Sequence, residues 1–121
     1  MQGKAVDVTF AALADPTRRA VVELLRERPR RAGELAAAMD MTAPAMSRHL
    51  RVLRKGGLVT EDAGDLDARV RVYRLQREPF TRLGRWVEQV EEMWTDQLAA
   101  FKEHAERTRA RGGRDPGARR G

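Results

Sequence analysis

The chain has 121 residues, the length of one domain, and contains no cysteine, which excludes disulfides, thiolate metal ligands and thiol redox sensing. Its 24 Lys and Arg outnumber its 18 Asp and Glu, and the formal net charge of +6 favours a polyanionic partner. The excess is local, since residues 109–121 carry +4 and residues 1–108 only +2. No segment has the apolar length of a signal peptide or a membrane span, so we expect a cytoplasmic protein without a membrane partner.

The start of the chain predicts an arm and a short helix. We expect residues 1–6 to form an N-terminal arm. Residues 7–14 repeat apolar positions at helical spacing, with Phe10 and Leu13 on one face. This segment is therefore predicted to be a short amphipathic helix.

Two further helices are expected before residue 40. Asp15 is a good N-cap, and Pro16 suits the first position of a helix because its missing N–H costs nothing there. Pro29 ends this second helix. A third, short helix is predicted over residues 31–39.

The fourth helix has clear signals at both ends. After a turn at residues 40–42, Thr42 can cap a helix that tolerates Pro44 in its first turn and runs to Lys55. The glycine pair at 56–57 ends it, as glycine commonly does at the C-terminus of a helix.

Beyond the glycines the spacing of the apolar residues is no longer helical. Residues 58–62 and 70–75 are rich in β-branched side chains and flank a loop containing Gly64, which predicts a two-stranded hairpin. Pro79 then begins a long helix, 79–108, whose apolar residues recur at spacings of three and four, close to a coiled-coil seam. The seam consists of Phe80, Leu83, Val87, Val90, Trp94, Leu98, Phe101 and Ala105.

This order of elements predicts the fold. Two short helices joined by a short turn and followed by a hairpin are typical of a winged helix-turn-helix. We therefore predict a mainly α domain with a β-hairpin, in the order α-α-α-α-β-β-α, over residues 7–108. Residues 109–121, rich in glycine and arginine, are expected to be a disordered basic tail.

On a helical wheel, residues 43–55 show two opposite stripes. The buried stripe consists of Met46, Leu50 and Leu53, and the outward stripe of Pro44, Ser47, Arg48 and Arg51. The N-terminal half of a recognition helix contacts base edges, where arginine can bind guanine through two hydrogen bonds. Arg54 and Lys55, further along, suit phosphate contacts that position the helix without specifying sequence.

A basic amphipathic helix can also be a solvated face or lie on a membrane surface. The membrane interpretation fails because the helix is short, lacks an aromatic anchor and is held by turns on both sides. The helix-turn-helix spacing and the hairpin favour DNA over a merely solvated face. His49, at the edge of the buried stripe, is better interpreted as half-buried and hydrogen-bonded to backbone or phosphate than as a metal ligand, since His104 is far away in sequence.

Three segments resemble the ArsR/SmtB family of bacterial repressors. They are FAALADPTRRAVVELL (10–25), ELAAAMDMTAPAMSRHLRVLRKGGLV (34–59) and RVRVYRL (69–75), and they follow the family's order. The resemblance covers residues 7–105. It implies a homodimeric winged-helix repressor that dimerises through its first and last helices and places one recognition helix per subunit in successive major grooves of double-stranded DNA.

The resemblance also implies roles for individual residues. DNA-facing positions are Thr42, Pro44, Ser47, Arg48 and Arg51, with Arg69 and Arg71 as the basic positions of the wing; His49, Arg54 and Lys55 complete the predicted DNA-binding set. The predicted dimer interface comprises Phe10, Leu13, Leu83, Val87, Val90, Trp94, Leu98 and Phe101. The wing tip carries three acids that do not suit contact with DNA, because phosphate repels them. They are Asp62, Asp65 and Asp67. Of the two wing arginines we rank Arg69 first.

This chain departs most from the family at the positions where family members bind metal. Metal sensors of this family commonly carry thiolates in an ELCVCD-like box, whereas this chain reads ELAAAMD, and Ala36–Ala38 have no donor atoms. The last helix offers carboxylates and one histidine, a composition more typical of a solvated face. We therefore predict the branch of the family without metal motifs, with no metal site and no cofactor. The sequence leaves open whether a small-molecule effector binds.

An enzyme would need convergent acid, base or nucleophilic groups. The one candidate cluster, residues 47–49, lies on neighbouring helical positions that point in different directions. We therefore predict no enzyme but a sequence-specific DNA-binding transcriptional regulator, a dimeric (auto)repressor of an inverted-repeat operator that does not sense metal. The alternatives are a metal- or small-molecule-responsive repressor and, in a different class, a protein-binding winged-helix module without DNA contact.

Overall fold

The computed structural model describes residues 2–112, which form five helices and one two-stranded antiparallel sheet. The elements are α1 (Gln2–Ala12), α2 (Pro16–Glu27), α3 (Ala32–Ala38), α4 (Ala43–Lys55), β1 (Val59–Ala63), β2 (Arg71–Leu75) and α5 (Arg77–Gly112). They belong to two compact units that divide between Gly84 and Arg85. The predicted order of four helices, a hairpin and a long helix is confirmed.

The first helix is longer than expected. α1 begins at Gln2, so it includes most of the segment 1–6 for which we expected an arm. Val6 is buried, and the buried Thr9 hydroxyl donates to the carbonyl of Ala5 one turn earlier (3.2 Å). Buried backbone N–H and C=O groups need hydrogen-bond partners, and a helix supplies these partners within the segment itself. Burial of this turn therefore favours the helical conformation.

The last helix is also longer than expected. α5 begins at Arg77, two residues before Pro79, because the N–H groups of a helix's first turn have no intrahelical partner and proline is tolerated there. It continues past residue 108 to Gly112. The rest of the predicted disordered tail, 113–121, lies outside the described residues.

Asp15 begins α2 as the N-cap that the sequence predicts. Its carboxylate accepts hydrogen bonds from the backbone N–H groups of Thr17 (2.7 Å) and Arg18 (3.2 Å), and Pro16 is the first helical residue. Desolvation raises the pKa of Asp15, but these backbone donors, together with the nearby side chains of His49 and Arg18, outweigh it and leave the pKa below its ordinary value. A charged carboxylate at this position also interacts favourably with the positive end of the helix dipole.

A tight turn connects α3 to α4. Asp40 has a φ of 54°, and the N–H of Met41 donates back to the carbonyl of Ala36 (2.9 Å), which satisfies the end of α3. The Thr42 hydroxyl then accepts from the backbone N–H of Ala45 (3.3 Å), as predicted for the N-cap of α4.

A second left-handed residue ends α4. Gly57 has a φ of 80°, and its N–H donates to the carbonyl of Arg54 (3.0 Å). The N–H of Leu58 donates to the carbonyl of Leu53 (2.9 Å). This pair of bonds is a Schellman motif, which turns the chain directly from α4 into β1.

The core of the first unit contains side chains from α2, α3, α4 and β1. The predicted buried stripe of α4 is confirmed, since Met46, Leu50 and Leu53 are at most 2 % exposed. The same hydrophobic cluster includes Val21, Leu25, Leu35, Leu58 and Val59. Burial of these side chains fixes the rotation of α4 about its own axis.

The hairpin is attached to the helical core at its base. β1 and β2 pair antiparallel with Val59 opposite Leu75. The backbone of Tyr73 in β2 also exchanges two hydrogen bonds with Arg30, in the connection between α2 and α3 (2.8 and 3.2 Å). The wing is therefore held by backbone bonds on both sides of β2.

We expect Gly57→Ala to destabilise the protein through backbone strain. Nothing lies within 4 Å of the position of an added Cβ, so the cost comes from the left-handed φ alone, about 1–2 kcal/mol of the free energy of unfolding. Gly33→Ala is a matched control, because it also adds a methyl group in open space but inside α3, where alanine is favoured. Denaturant unfolding of both variants provides the measurement; equal effects would contradict the prediction.

Candidate nucleic-acid interface

The outward stripe of α4 is exposed along its length. All four residues predicted for it are accessible: Pro44, Ser47, Arg48 and Arg51. Within residues 2–112 the guanidinium groups of Arg48 and Arg51 make no hydrogen bond or ion pair with another side chain. Two positive charges on the N-terminal and middle turns of α4 are thus available to an anionic partner.

Arg51 also borders a shallow groove between α4 and the wing. The groove has a volume of about 230 Å³, and its other lining residues are Ser47, Leu50, Arg54 and Tyr73. Burial, and then the nearby Glu61 carboxylate, raise the pKa of Tyr73, so its hydroxyl is a neutral hydrogen-bonding group here.

The two basic residues at the end of α4 differ in their surroundings. Arg54 donates to the carboxylate of Glu61 in β1 (3.0 Å), and this ion pair joins α4 to the wing. Lys55 is exposed and makes no ion pair within the described part of the chain. Its side chain borders a groove between α1 and α4. Of these two candidates for phosphate contacts, only Lys55 has no competing carboxylate.

His49 is half-buried and faces a side chain of α2. Its Nδ1 lies 3.4 Å from Nη1 of Arg18. Within the protein the partner of Nδ1 is therefore a guanidinium group and not the backbone; a phosphate contact of His49 stays a prediction. Sequence inspection missed Arg18 because it lies 31 positions from His49 and no local spacing connects them.

The acids at the wing tip are paired within the wing itself. Arg74 contacts Asp65 (2.7 Å) and Asp62 (3.5 Å), and Arg69 contacts Asp67 (3.2 Å). Hydrogen bonds from the Arg69 side chain and backbone lower the pKa of Asp67, which stays ionised. These local pairs offset the repulsion between the tip and an approaching phosphate.

Arg71 differs from its neighbours in the wing. Its guanidinium donates weakly to the backbone carbonyl of Glu61 (3.4 Å) and contacts no carboxylate among residues 2–112. Arg74, by contrast, was absent from the predicted site although it neutralises two of the three tip acids. The strand pattern alone could not show which arginine of β2 reaches the tip.

The residues predicted for the dimer interface fall in both units. Phe10 is partly exposed, and Leu13 and Leu83 are half-buried. In the second unit Val90 is half-buried and Val87 partly exposed, while Trp94, Leu98 and Phe101 are 61, 61 and 70 % exposed. Large apolar side chains at helical spacing along α5 are therefore accessible in the single chain.

The described residues contain no group of three or more His, Asp or Glu side chains placed to hold a metal ion. Ala36 is buried in the core at the place where the sequence lacks thiolates, and Ala37 and Ala38 are exposed. Among the same residues, no helix is both long enough and apolar enough to cross a membrane.

Comparison with known proteins agrees with this geometry. Residues 13–62 match the model of a helix-turn-helix domain family. The chain is 38% identical over 95 residues to the HTH-type transcriptional regulator Rv2034 of Mycobacterium tuberculosis, an alignment that covers 78% of this chain and 83% of the relative. It is 42% identical over 64 residues to the HTH-type transcriptional repressor SmtB of M. tuberculosis, covering 53% of this chain and 45% of that protein.

A solved structure extends the likeness to the fold. An ArsR-like transcriptional regulator from Rhodococcus sp. RHA1 superposes with a TM-score of 0.70 at 28% identity, covering 84% of this chain and 93% of that one. The chain belongs to the ArsR/SmtB family of winged helix-turn-helix transcriptional regulators, which are DNA-binding proteins and not enzymes.

Proposed function

We propose that this protein is a dimeric transcriptional repressor that binds an inverted-repeat operator in a sequence-specific manner and does not sense metal. The observation that carries the proposal is the pair of unengaged guanidinium groups, Arg48 and Arg51, on the exposed stripe of α4. Beside them Ser47 offers a small hydroxyl. A stripe of this composition fits the major groove, where arginine and serine can hydrogen-bond base edges.

Specificity and positioning are assigned to different residues. Arg48 and Ser47 lie in the N-terminal half of α4 and are proposed to contact bases. Lys55 and Arg54 are proposed to contact phosphates, Arg54 by exchanging its pair with Glu61 for a phosphate oxygen. Exposed ion pairs are worth only about 0–1 kcal/mol, so this exchange costs little.

In the wing we now rank Arg71 above Arg69. Arg69 is held by the carboxylate of Asp67, whereas Arg71 contacts only a backbone carbonyl. A phosphate approaching Arg69 also approaches the ionised Asp67, and the two charges largely cancel. Arg71 has no such neighbour in contact, and we propose it as the main phosphate contact of the wing.

We expect Arg48→Ala to weaken binding to a specific duplex by about 1–3 kcal/mol and to relax the base preference at one position. The probe is a duplex selected from a random pool by the wild-type protein, compared with a shuffled duplex in fluorescence anisotropy. Arg26→Ala is the matched control, since it removes the same charge from an exposed arginine of α2 that is paired with Glu23. It should leave both affinities nearly unchanged.

The same titrations at several salt concentrations test DNA binding itself. The logarithm of the binding constant should fall with the logarithm of salt concentration by about 0.9 per phosphate neutralised. A flat salt dependence on every duplex would favour the protein-binding module. Equal losses on the selected and shuffled duplexes would make Arg48 a phosphate contact instead.

A homodimer is proposed because of the apolar residues along α5. Leu98 and Phe101 stand more than half exposed at helical spacing in the single chain, and burying an aromatic side chain removes about 150–250 Å² from water. A two-fold dimer also matches an inverted-repeat operator, with one recognition helix for each half-site.

We expect Leu98→Glu to weaken dimerisation by at least about tenfold, because it places a carboxylate in an apolar interface. Ala99→Glu introduces the same charge at the adjacent position, which is exposed and lies on the opposite side of α5 from Phe101, and should leave the dimer intact. Sedimentation equilibrium measures both dissociation constants. A wild-type protein that stays monomeric, or equal effects of the two substitutions, would refute the proposed interface.

The absence of metal sensing rests on the residues at the positions where related sensors bind metal. Ala36–Ala38 supply no ligand, and α5 presents acids that are exposed to solvent. Isolated carboxylates in water are poor ligands for zinc, which favours nitrogen and sulfur donors in a tetrahedral set.

We therefore expect zinc to leave operator affinity unchanged. The measurement is a gel-shift titration on the selected duplex with added zinc chloride, and again with EDTA. A loss of binding at low zinc concentrations that EDTA reverses would contradict the prediction and would favour a metal-responsive repressor.

A further inference from the structure

The guanidinium group of Arg18, in α2, contacts both the end of α1 and the candidate recognition helix α4. Arg18 lies in the first turn of α2, and its Nε donates to the carbonyl of Ala12 (2.6 Å). Its Nη2 donates to the carbonyl of Ala11 (3.3 Å), and its Nη1 lies 3.4 Å from Nδ1 of His49 in α4. Arg18 thus satisfies carbonyls at the end of α1 and contacts α4 with the same planar group.

The chemistry of this contact favours one tautomer of the histidine ring. A guanidinium group only donates hydrogen bonds, so Nδ1 of His49 must accept. A histidine that accepts at Nδ1 and is neutral carries its proton on Nε2. Within the described part of the chain Nε2 has no hydrogen-bond partner, and the ring is only half-buried, so this N–H remains as a donor.

We propose that Arg18 is a positioning residue for DNA binding: it orients the His49 ring so that Nε2–H donates to a backbone phosphate of the operator. The inference rests on the proposed function. Arg18 acts through His49 and need not contact DNA. Because its other donors hold the carbonyls of α1, the orientation of His49 depends on the end of that helix.

The neighbouring arginine provides a close control. Arg19 has the same charge and also donates to a carbonyl near the end of α1, that of Leu13 (2.7 Å), but among the described residues it makes no hydrogen bond or ion pair with a residue of α4. Arg19→Ala therefore removes a charge and a helix-end hydrogen bond while the contact with His49 stays intact.

The first experiment is a double-mutant cycle with the duplex selected by the wild-type protein. We expect Arg18→Ala and His49→Ala each to weaken binding about 10- to 100-fold, the loss of one hydrogen bond to a charged oxygen. The double variant should bind no more weakly than the weaker single variant, and Arg19→Ala should bind as the wild type does. Additive losses would overturn the proposal.

The second experiment measures which nitrogen of the His49 ring is protonated in the free protein. In mildly alkaline buffer, where an ordinary histidine is neutral, imidazole ¹⁵N shifts of the wild type should show a protonated Nε2 and an accepting Nδ1 for His49. Arg18→Ala should move the Nδ1 shift, and Arg19→Ala should not. A protonated Nδ1 in the wild type, or no change in Arg18→Ala, would overturn the proposal.

Failure of this inference can be told apart from failure of the proposed function. A wild-type protein that selects no duplex would refute DNA binding, and the ¹⁵N spectra would still report on the contact between Arg18 and His49. If Arg18→Ala does not fold, Arg18→Lys is used instead, since it keeps the charge but cannot bridge two carbonyls and a ring. It should shift Nδ1 and weaken binding as Arg18→Ala is expected to do.

Discussion

Burial of one stripe of α4 is the constraint on which the rest of the site depends. An α-helix turns 3.6 residues per turn, so once Met46, Leu50 and Leu53 are buried the orientation of every other residue of α4 follows. Burial of each such side chain contributes about 1.5–3 kcal/mol, and it leaves Arg48 and Arg51 exposed. The packing that stabilises the domain is therefore also what presents the candidate DNA-binding residues.

Among the described residues, most arginines away from the exposed stripe of α4 are engaged locally. Arg74 and Arg69 neutralise the acids of the wing tip, and Arg54 holds Glu61 across the boundary between α4 and β1. The formal net charge of +6 consequently says little about where a polyanion binds. The positions of unpaired guanidinium groups, Arg48 and Arg51 above all, are more informative because they need no internal pair to be broken.

The sequence predicted those features whose causes lie within a few residues of each other. Asp15 and Thr42 cap their helices as expected, because the donors they satisfy lie two or three residues along the chain. The start of α1 was misjudged because the burial of Val6 depends on packing rather than on local pattern. The ion pairs of the wing were not predicted, since Arg74 and Asp65 are nine positions apart and meet only after the hairpin has formed.

By itself, the sequence determined the order of the elements, the buried stripe of α4 and the likeness to a family of regulators, because helical period, capping residues and motifs are local properties of the chain. Only the tertiary structure decided which basic residues remain available. It paired Arg54 with Glu61, paired Arg69 with Asp67 while Arg71 contacts only a backbone carbonyl, and brought Arg18 of α2 against His49 of α4. These outcomes depend on distances between separate elements, which exist only once the core has packed.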